Sequence, residues 1–291
     1  MEFIRRKQLE RDFSEDKKYR ATTKDGKDYL LRISPMYRYN DRATLFQMLK
    51  CAQVMGIPLA EPIEFGHCDE GAYTIQSWIE GDILEKAIIG LSKERQYALG
   101  LRAGEVLRMI HSFPPPENQS EWAPRFNEKL VVQIKKFLAC QLEFEGSDAV
   151  FDYISQNQHL LEDRPQCLKH GEYHIGKMML DRGELKIMDF DSYDFGDPWD
   201  EFNRIVYSAA VSPHFATGQI RGYFGGVPPE KFWRLMAFYI VCSTLTSVYW
   251  AVPFGNAEIE LMQRQAEEVV RWFDGMKNPV PTWYLRNFAI K

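Results

Sequence analysis

The sequence lacks the cysteine pattern of a disulfide-stapled or zinc-binding protein. Its 291 residues include five cysteines, an odd number, and none of them forms a Cys-x-x-Cys pair. Neither a disulfide framework nor a zinc site is therefore predicted, and a reducing compartment is expected. The N-terminal stretch MEFIRRKQLERDF carries charges where a signal peptide needs an apolar core. These features predict a cytoplasmic protein.

The sequence also lacks an excess of basic residues. Lys and Arg number 36 against 41 Asp and Glu, which gives a net charge of -5. With this charge balance we predict no nucleic-acid partner. A mildly acidic surface is compatible with a cationic substrate. Among the acidic residues, Glu201 and Glu258 could face such a substrate.

One long uncharged run, LMAFYIVCSTLTSVYWAVPF at residues 235–254, approaches the length of a membrane span. Cys, Ser and Thr recur within it, and Pro253 interrupts its end. A helix that is apolar all round is buried either in a protein core or in a bilayer. We favour the core helix and predict no membrane partner, with the membrane span as the open alternative.

Strand-like and helical patterns occupy different parts of the chain. Two hairpin patterns lie in the first 80 residues, one of them around the turn Asp25-Gly26. Between them runs a helical pattern that Asn40 or Asp41 could cap. Beyond the second hairpin the apolar spacing is mostly helical. We therefore predict an α+β fold with a small antiparallel β lobe and one helix over residues 1–79, and a large, mainly helical lobe over residues 80–291.

The stretch HGEYHIGKMML at residues 170–180 is followed by a short strand pattern and Asp-Phe-Asp. Phosphoryl transfer needs a carboxylate near the attacking hydroxyl, oxygen ligands for Mg²⁺ and fixed positive charge on the phosphates. Glu172, position 177 and Asp189 have the spacing of a kinase catalytic loop and of the aspartate that follows it. The pattern therefore points to a phosphotransferase.

These segments resemble the aminoglycoside phosphotransferase family, whose loop reads His-Gly-Asp-x-His-x-x-Asn and is followed by Ile-Asp-Phe. The corresponding segments here are HGEYHIGK and MDF, and DSYDFGDPWDEFNRI, LRMIHS and SWIEGD are also similar to family segments. The resemblance extends over about residues 16–249. It implies the bilobal protein-kinase-like fold, with a nucleotide-binding N-terminal lobe and a C-terminal catalytic and substrate lobe.

The resemblance also implies roles for individual residues. Glu172 stands at the position of the catalytic acid, and Asp189 at that of the main Mg²⁺ ligand, which makes both candidate catalytic residues. Arg32 stands where the family has a phosphate-contacting Lys or Arg. Lys177 replaces the second metal ligand. Because an ammonium has no lone pair, Lys177 could instead neutralise phosphate charge itself.

Further nucleotide contacts are implied at both ends of the N-terminal lobe. Ser14 and Lys17 belong to the segment SEDKKY, which takes the place of a phosphate-covering loop. Gln76 and Trp78 stand at the hinge that contacts adenine in the family. Where the family often has a Glu on the first helix, this chain has Leu45-Phe46, so no acidic partner for Arg32 is predicted there.

By this resemblance the chain is an ATP- or GTP-dependent, Mg²⁺-using kinase that phosphorylates the hydroxyl of a small molecule. The family's usual substrate is an aminoglycoside antibiotic, which would make the protein an antibiotic-resistance enzyme. The alternative is a pseudokinase-like protein that binds a nucleotide or another ligand without turnover. The changes at Glu172 and Lys177 motivate that alternative, and both hypotheses stay open at the level of sequence.

Overall fold

A five-stranded antiparallel sheet begins the chain in the computed structural model, which describes residues 1–9 and 15–288. Its strands lie in the order β1-β2-β3-β5-β4. Their bounds are β1 Arg5–Gln8, β2 Lys17–Thr22, β3 Asp28–Ser34, β4 Pro62–Cys68 and β5 Gly71–Ser77. The two predicted hairpins are therefore present, and β1 is an additional edge strand.

The chain also contains a two-stranded sheet, a three-stranded sheet and α-helices. The strands are β6 Asp82–Ile83, β7 Cys167–Lys169, β8 Met178–Asp181, β9 Glu184–Ile187 and β10 Asp194–Gly196. The α-helices are α1 Tyr39–Val54, α2 Leu84–Ala87, α3 Lys93–Ile110, α4 Trp122–Ala139, α5 Ser147–Asn157, α6 Ile205–Val211, α7 Pro213–Phe224, α8 Glu230–Trp250 and α9 Asn256–Trp272. Sheet and helices are thus segregated along the chain, which gives the predicted α+β class.

The described chain divides into two compact units. The first unit contains Met1–Leu84 and Lys177–Phe190, and the second contains Glu85–Gly176 and Asp191–Lys291. The first unit therefore takes in the β8–β9 hairpin, which lies far along the sequence from the five-stranded sheet. The predicted boundary between residues 79 and 80 did not anticipate this second segment and stays a prediction.

One face of the sheet forms an apolar cluster in the first unit. Alternate residues of β3, namely Tyr29, Leu31 and Ile33, pack there with Ala21 and Ile75. Because side chains along a strand alternate between faces, Arg32 points to the opposite face. On that opposite face α1 lies against β4 and β5, with the Phe46 and Phe65 ring centroids 5.8 Å apart.

Helix α8 is the central apolar helix of the second unit. The stretch Glu230–Phe254 is long and apolar enough to cross a membrane, yet 67% of its most apolar window is buried inside the protein. Its phenyl, indole and aliphatic side chains pack against helices α4, α5 and α9. This packing is typical of the core helix that the sequence favoured, and the predicted lack of a membrane partner stays a prediction.

Helix ends follow local sequence signals in some places and not in others. Ser92 caps α3, since its side chain accepts a hydrogen bond from the Arg95 amide at 3.2 Å. Neither Asn40 nor Asp41 caps α1, because the chain enters that helix through a 3₁₀ turn and Arg38 occupies the cap position without a side-chain bond. Helix α7 went unpredicted, although Pro213 follows a Ser cap at its start.

Candidate active site

The β8–β9 hairpin brings Lys177 and Asp189 together in the first unit. Met178 pairs with Ile187 at the open end of the hairpin, and the Met188 amide donates to the Lys177 carbonyl at 3.0 Å. One residue beyond this pairing, Lys177 Nζ lies 2.6 Å from Asp189 Oδ2. Asp189 adopts a left-handed backbone with φ of 66°, a conformation that Asp tolerates better than most residues.

The register of β2 against β3 supplies two more cations to the same carboxylate. Lys18 and Arg32 are directly opposite each other in the sheet, so their side chains lie on one face. Lys18 Nζ is 3.4 Å and Arg32 Nη2 is 3.3 Å from Asp189 Oδ1. Two like charges in such a pair would repel each other, and the shared carboxylate offsets that repulsion.

A second carboxylate, Asp16, anchors Arg32 from the other side. Its side chain is fully buried and lies 3.5 Å from Arg32 Nη1 and 2.8 Å from Arg42 Nη2 on α1. Arg38 approaches its other oxygen at 3.7 Å. A second acidic partner of Arg32 thus comes from the residue just before β2, whereas helix α1 contributes Arg42. A buried charge of this kind is tolerated only when it is paired.

The three cations around Asp189 determine its ionisation. Burial by itself would raise its pKa, but Lys18, Arg32 and Lys177 hold the pKa of this carboxyl well below its ordinary value. Asp189 is therefore an anion whose charge is neutralised by protein groups. Among the described residues there is no group of three or more His, Cys, Asp or Glu side chains that could hold a metal ion.

The HGEYHIGK loop is held by Glu201 in the second unit. Glu201 Oε2 accepts from the His170 amide at 2.6 Å, and Oε1 accepts from the amides of Gly171 at 3.0 Å and Tyr173 at 3.3 Å. His111 Nε2 lies 3.8 Å from Oε2. Burial raises the pKa of Glu201, but His111, His170 and Lys169 outweigh that effect and lower it to about 2. A permanently charged, buried carboxylate thus fixes the loop backbone.

Gly171 is required for this loop geometry. Its φ is 89°, and a Cβ at this position would lie 2.0 Å from the Ser192 carbonyl oxygen. Only glycine adopts such a backbone without a steric penalty. Further along the loop the Ile175 amide donates to Ser208 Oγ at 3.0 Å. The loop is therefore fixed at several points, and the half-buried Glu172 lies between them.

A model of the phosphotransferase enzyme family called APH matches residues 5–233 of this chain. The chain belongs to this family. The family resemblance and the bilobal α+β fold class inferred from the sequence are thereby confirmed. A search of curated proteins finds no match to the chain.

Solved structures with the same fold as this APH-family chain include aminoglycoside and spectinomycin phosphotransferases. A thermostable mutant of aminoglycoside phosphotransferase APH(4)-Ia is 19% identical with a TM-score of 0.65, over 92% of this chain and 94% of that one. Spectinomycin phosphotransferase APH(9)-Ia, in complex with ADP and spectinomycin, is 14% identical with a TM-score of 0.63, over 96% and 94%. At these identities the likeness shows the fold alone.

A choline/ethanolamine kinase family protein from Mesorhizobium loti has the fold as well. It is 16% identical with a TM-score of 0.64, over 94% of this chain and 91% of that chain. The same fold therefore carries proteins named for different small molecules, and the fold by itself does not select a substrate.

Not every predicted nucleotide contact of the APH-family chain lies near Asp189. Lys17 points to the other face of β2, where its ammonium is 3.6 Å from Glu70. Gln76 lies on β5, and the guanidinium of Arg20 lies 4.8 Å from the centre of the Trp78 ring. Ser14 lies outside the described residues. The nucleotide roles of all four stay predictions.

Sequence reasoning missed Lys18 and Asp16 in the charged cluster around Asp189 and Arg32, and it missed the loop-binding role of Glu201. Lys18 and Asp16 flank the predicted Lys17, and Glu201 was named only as an acid that could face a cationic substrate. Instead Glu201 is 2% exposed and binds loop amides. The acidic residues at the start of the segment Pro198–Arg204 were the sequence signal that could have pointed to Glu201. Asp197 caps that segment by accepting a hydrogen bond from the Trp199 amide at 2.9 Å. Several adjacent acids made the buried one hard to single out.

Proposed function

We propose that the protein transfers a phosphate group from ATP or GTP to the hydroxyl of a small molecule. The observation that carries this proposal is the cluster of Lys18, Arg32 and Lys177 around Asp189, in a chain of the APH family. Fixed cations of this kind stabilise the charge of a transferring phosphoryl group. The same cluster supports the enzyme assignment.

The two units have separate roles in this proposal. The first unit would hold the nucleotide phosphates through Lys18, Arg32 and Lys177. In the second unit Glu172 would orient the substrate hydroxyl and accept its proton. The backbone around Glu172 is held by Glu201, which makes Glu201 a positioning residue.

Magnesium at Asp189 was implied by the family resemblance, and this donor set does not fit it. Mg²⁺ prefers oxygen ligands in an octahedron. Both Asp189 oxygens instead lie within 3.4 Å of a cationic side chain, and position 177 offers an ammonium. The predicted Mg²⁺ site stays a prediction, and no step of the proposed transfer depends on it.

Substrate candidates come from the structures that share the fold. APH(4)-Ia has been crystallised with ADP and hygromycin B, and APH(2")-IIa with streptomycin and ATP. Hygromycin B, streptomycin, spectinomycin and choline are therefore the first compounds to test here. An antibiotic-resistance role and a cationic substrate depend on the outcome, and the cytoplasmic location stays a prediction.

The proposal is tested by phosphate transfer from ATP and from GTP to each of these compounds, followed by mass spectrometry of the product. Turnover should fall by about 10²–10⁴-fold in Glu172→Gln, because a positioned acid–base group contributes about that much. Asp189→Asn should also lose turnover, while Asp69→Asn, an exposed turn residue on the same unit, should keep it. Nucleotide binding without transfer to any compound would favour the binding-protein alternative.

A further inference from the structure

Lys177 is placed where it can act as a built-in cation. Its ammonium is 2.6 Å from Asp189 Oδ2 and its side chain keeps 25% of its surface exposed. It therefore neutralises the carboxylate and still reaches solvent. The hairpin pairing between Met188 and Lys177 fixes its backbone, so its position does not depend on a flexible loop.

Several cationic side chains gather around Asp189 and Asp16 in the first unit. Five of them approach these two carboxylates, and a third carboxylate, Asp41, pairs with Arg38 at 3.3 Å. The cations are Lys18, Arg32 and Lys177 at Asp189, and Arg38 and Arg42 at Asp16, with Arg32 touching both. A concentration of cationic side chains such as that at Asp189 attracts a multiply charged anion.

The cluster also disfavours a divalent cation. A metal ion approaching Asp189 would meet Lys177 at one oxygen and Lys18 and Arg32 at the other. Like charges so close together repel each other strongly where water is partly excluded. A nucleotide polyphosphate without its metal ion carries more negative charge, so it suits this cluster better than the metal complex does.

We propose that the cluster of Lys18, Arg32 and Lys177 binds the nucleotide polyphosphate directly, with the Lys177 ammonium in place of a divalent metal ion. Nucleotide binding is then independent of Mg²⁺. This inference rests on the proposed function, because it takes the anion to be a nucleotide. It extends that function by stating which form of the nucleotide the protein selects.

The test is calorimetric titration of the full chain with ADP and with ATP, once in excess EDTA and once in excess Mg²⁺. The wild type should bind in EDTA with an affinity within about threefold of that in Mg²⁺, a difference of at most about 0.65 kcal/mol. Lys177→Met should weaken binding in EDTA by about 10- to 100-fold, because a charge-assisted bond to phosphate is lost. Lys177→Arg keeps the charge and should keep metal-free binding.

Lys177→Asn gives the decisive comparison. Asn supplies an oxygen ligand that suits Mg²⁺, so this variant should bind nucleotide at least about tenfold more tightly in Mg²⁺ than in EDTA. Arg182→Asn is the matched control, since it removes a charge from the turn of the same hairpin, where the side chain is 86% exposed. It should behave as the wild type, and circular dichroism should show that every variant compared is folded at the temperature of the titration.

Three outcomes overturn the inference, and they are distinguishable. If the wild type binds nucleotide at least about tenfold more tightly with Mg²⁺ than with EDTA, the proposed function stands and metal-free binding is wrong. If no nucleotide binds under either condition, both the inference and the nucleotide-dependent function fail. If Lys177→Asn, like the wild type, binds nucleotide equally well in EDTA and in Mg²⁺, then Lys177 does not take the place of the metal ion.

Discussion

Replacing Glu201 with Gln should destabilise the second unit strongly. The carboxylate accepts hydrogen bonds from the amides of His170, Gly171 and Tyr173. A Gln side chain keeps one acceptor oxygen and turns an NH₂ donor toward the remaining amides. Each lost bond to a charged acceptor costs about 1.5–3 kcal/mol. Because the Gln oxygen keeps part of the set, we expect a loss of roughly 3–5 kcal/mol, the range for breaking a buried charged contact.

The pH dependence of stability gives this prediction a second measurement. The pKa of Glu201 is about 2 in the folded protein, against an ordinary value of 4.5. Its folded pKa is depressed, so its contribution is fully present above pH 4.5 and is lost as the pH falls toward 2. The difference corresponds to roughly 3 kcal/mol. The Gln variant has no such group, so its stability should fall less steeply with acidification.

Urea unfolding at several pH values tests both effects. The midpoint should drop in Glu201→Gln while the slope with denaturant stays unchanged, as expected when stability alone changes. Glu128→Gln, on the exposed surface of α4, is the matched control and should change stability by less than about 0.5 kcal/mol. A Glu201→Gln variant as stable as this control, or with the wild-type pH profile, would refute the reasoning.

Other substitutions test the loop backbone and the buried charges. Gly171→Ala should lower the free energy of unfolding by roughly 2–4 kcal/mol, because the residue has a positive φ and its Cβ would meet a carbonyl oxygen. Gly90→Ala is the control and should cause no such loss, since the new methyl group has open space around it. Thermal unfolding distinguishes the two variants. Asp16→Asn should lower the free energy of unfolding by about 3–5 kcal/mol, because it removes a fully buried carboxylate that pairs with Arg32 and Arg42. Asp41→Asn, at an exposed pair, should lose at most about 1 kcal/mol, and equal losses in the two Asp variants would contradict the role of Asp16.

The sequence predicts the elements of this fold better than the contacts of its charged residues. Both early hairpins, the Ser92 cap and the β8–β9 turn depend on local chemistry, namely turn residues, caps and apolar spacing. Lys17 and Lys18 differ by one position, and a one-residue change of register exchanges the two faces of a strand. Sequence alone therefore gave no basis for choosing Lys18 over Lys17.

The partners of Asp189 and Arg32 were unpredictable for a different reason. Asp16 and Arg42 are 26 residues apart, and Lys18 and Asp189 are 171 residues apart. Such pairs arise from the packing of distant segments, and no local pattern encodes them. The resemblance singled out Asp189, Arg32 and Lys177 one by one, but their contacts with one another needed the structure.

Because the first unit is discontinuous, it cannot be completed early in synthesis. Its β8–β9 hairpin and Asp189 follow residues 85–176, which belong to the second unit. At typical translation rates of about 5–20 residues per second, the ribosome needs roughly 5–20 s to proceed from residue 84 to residue 190. During that interval Lys18 and Arg32 have no Asp189 to neutralise them. The contacts of Lys18 and Arg32 with Asp189 therefore form only after residues 85–176 of the second unit have been synthesised.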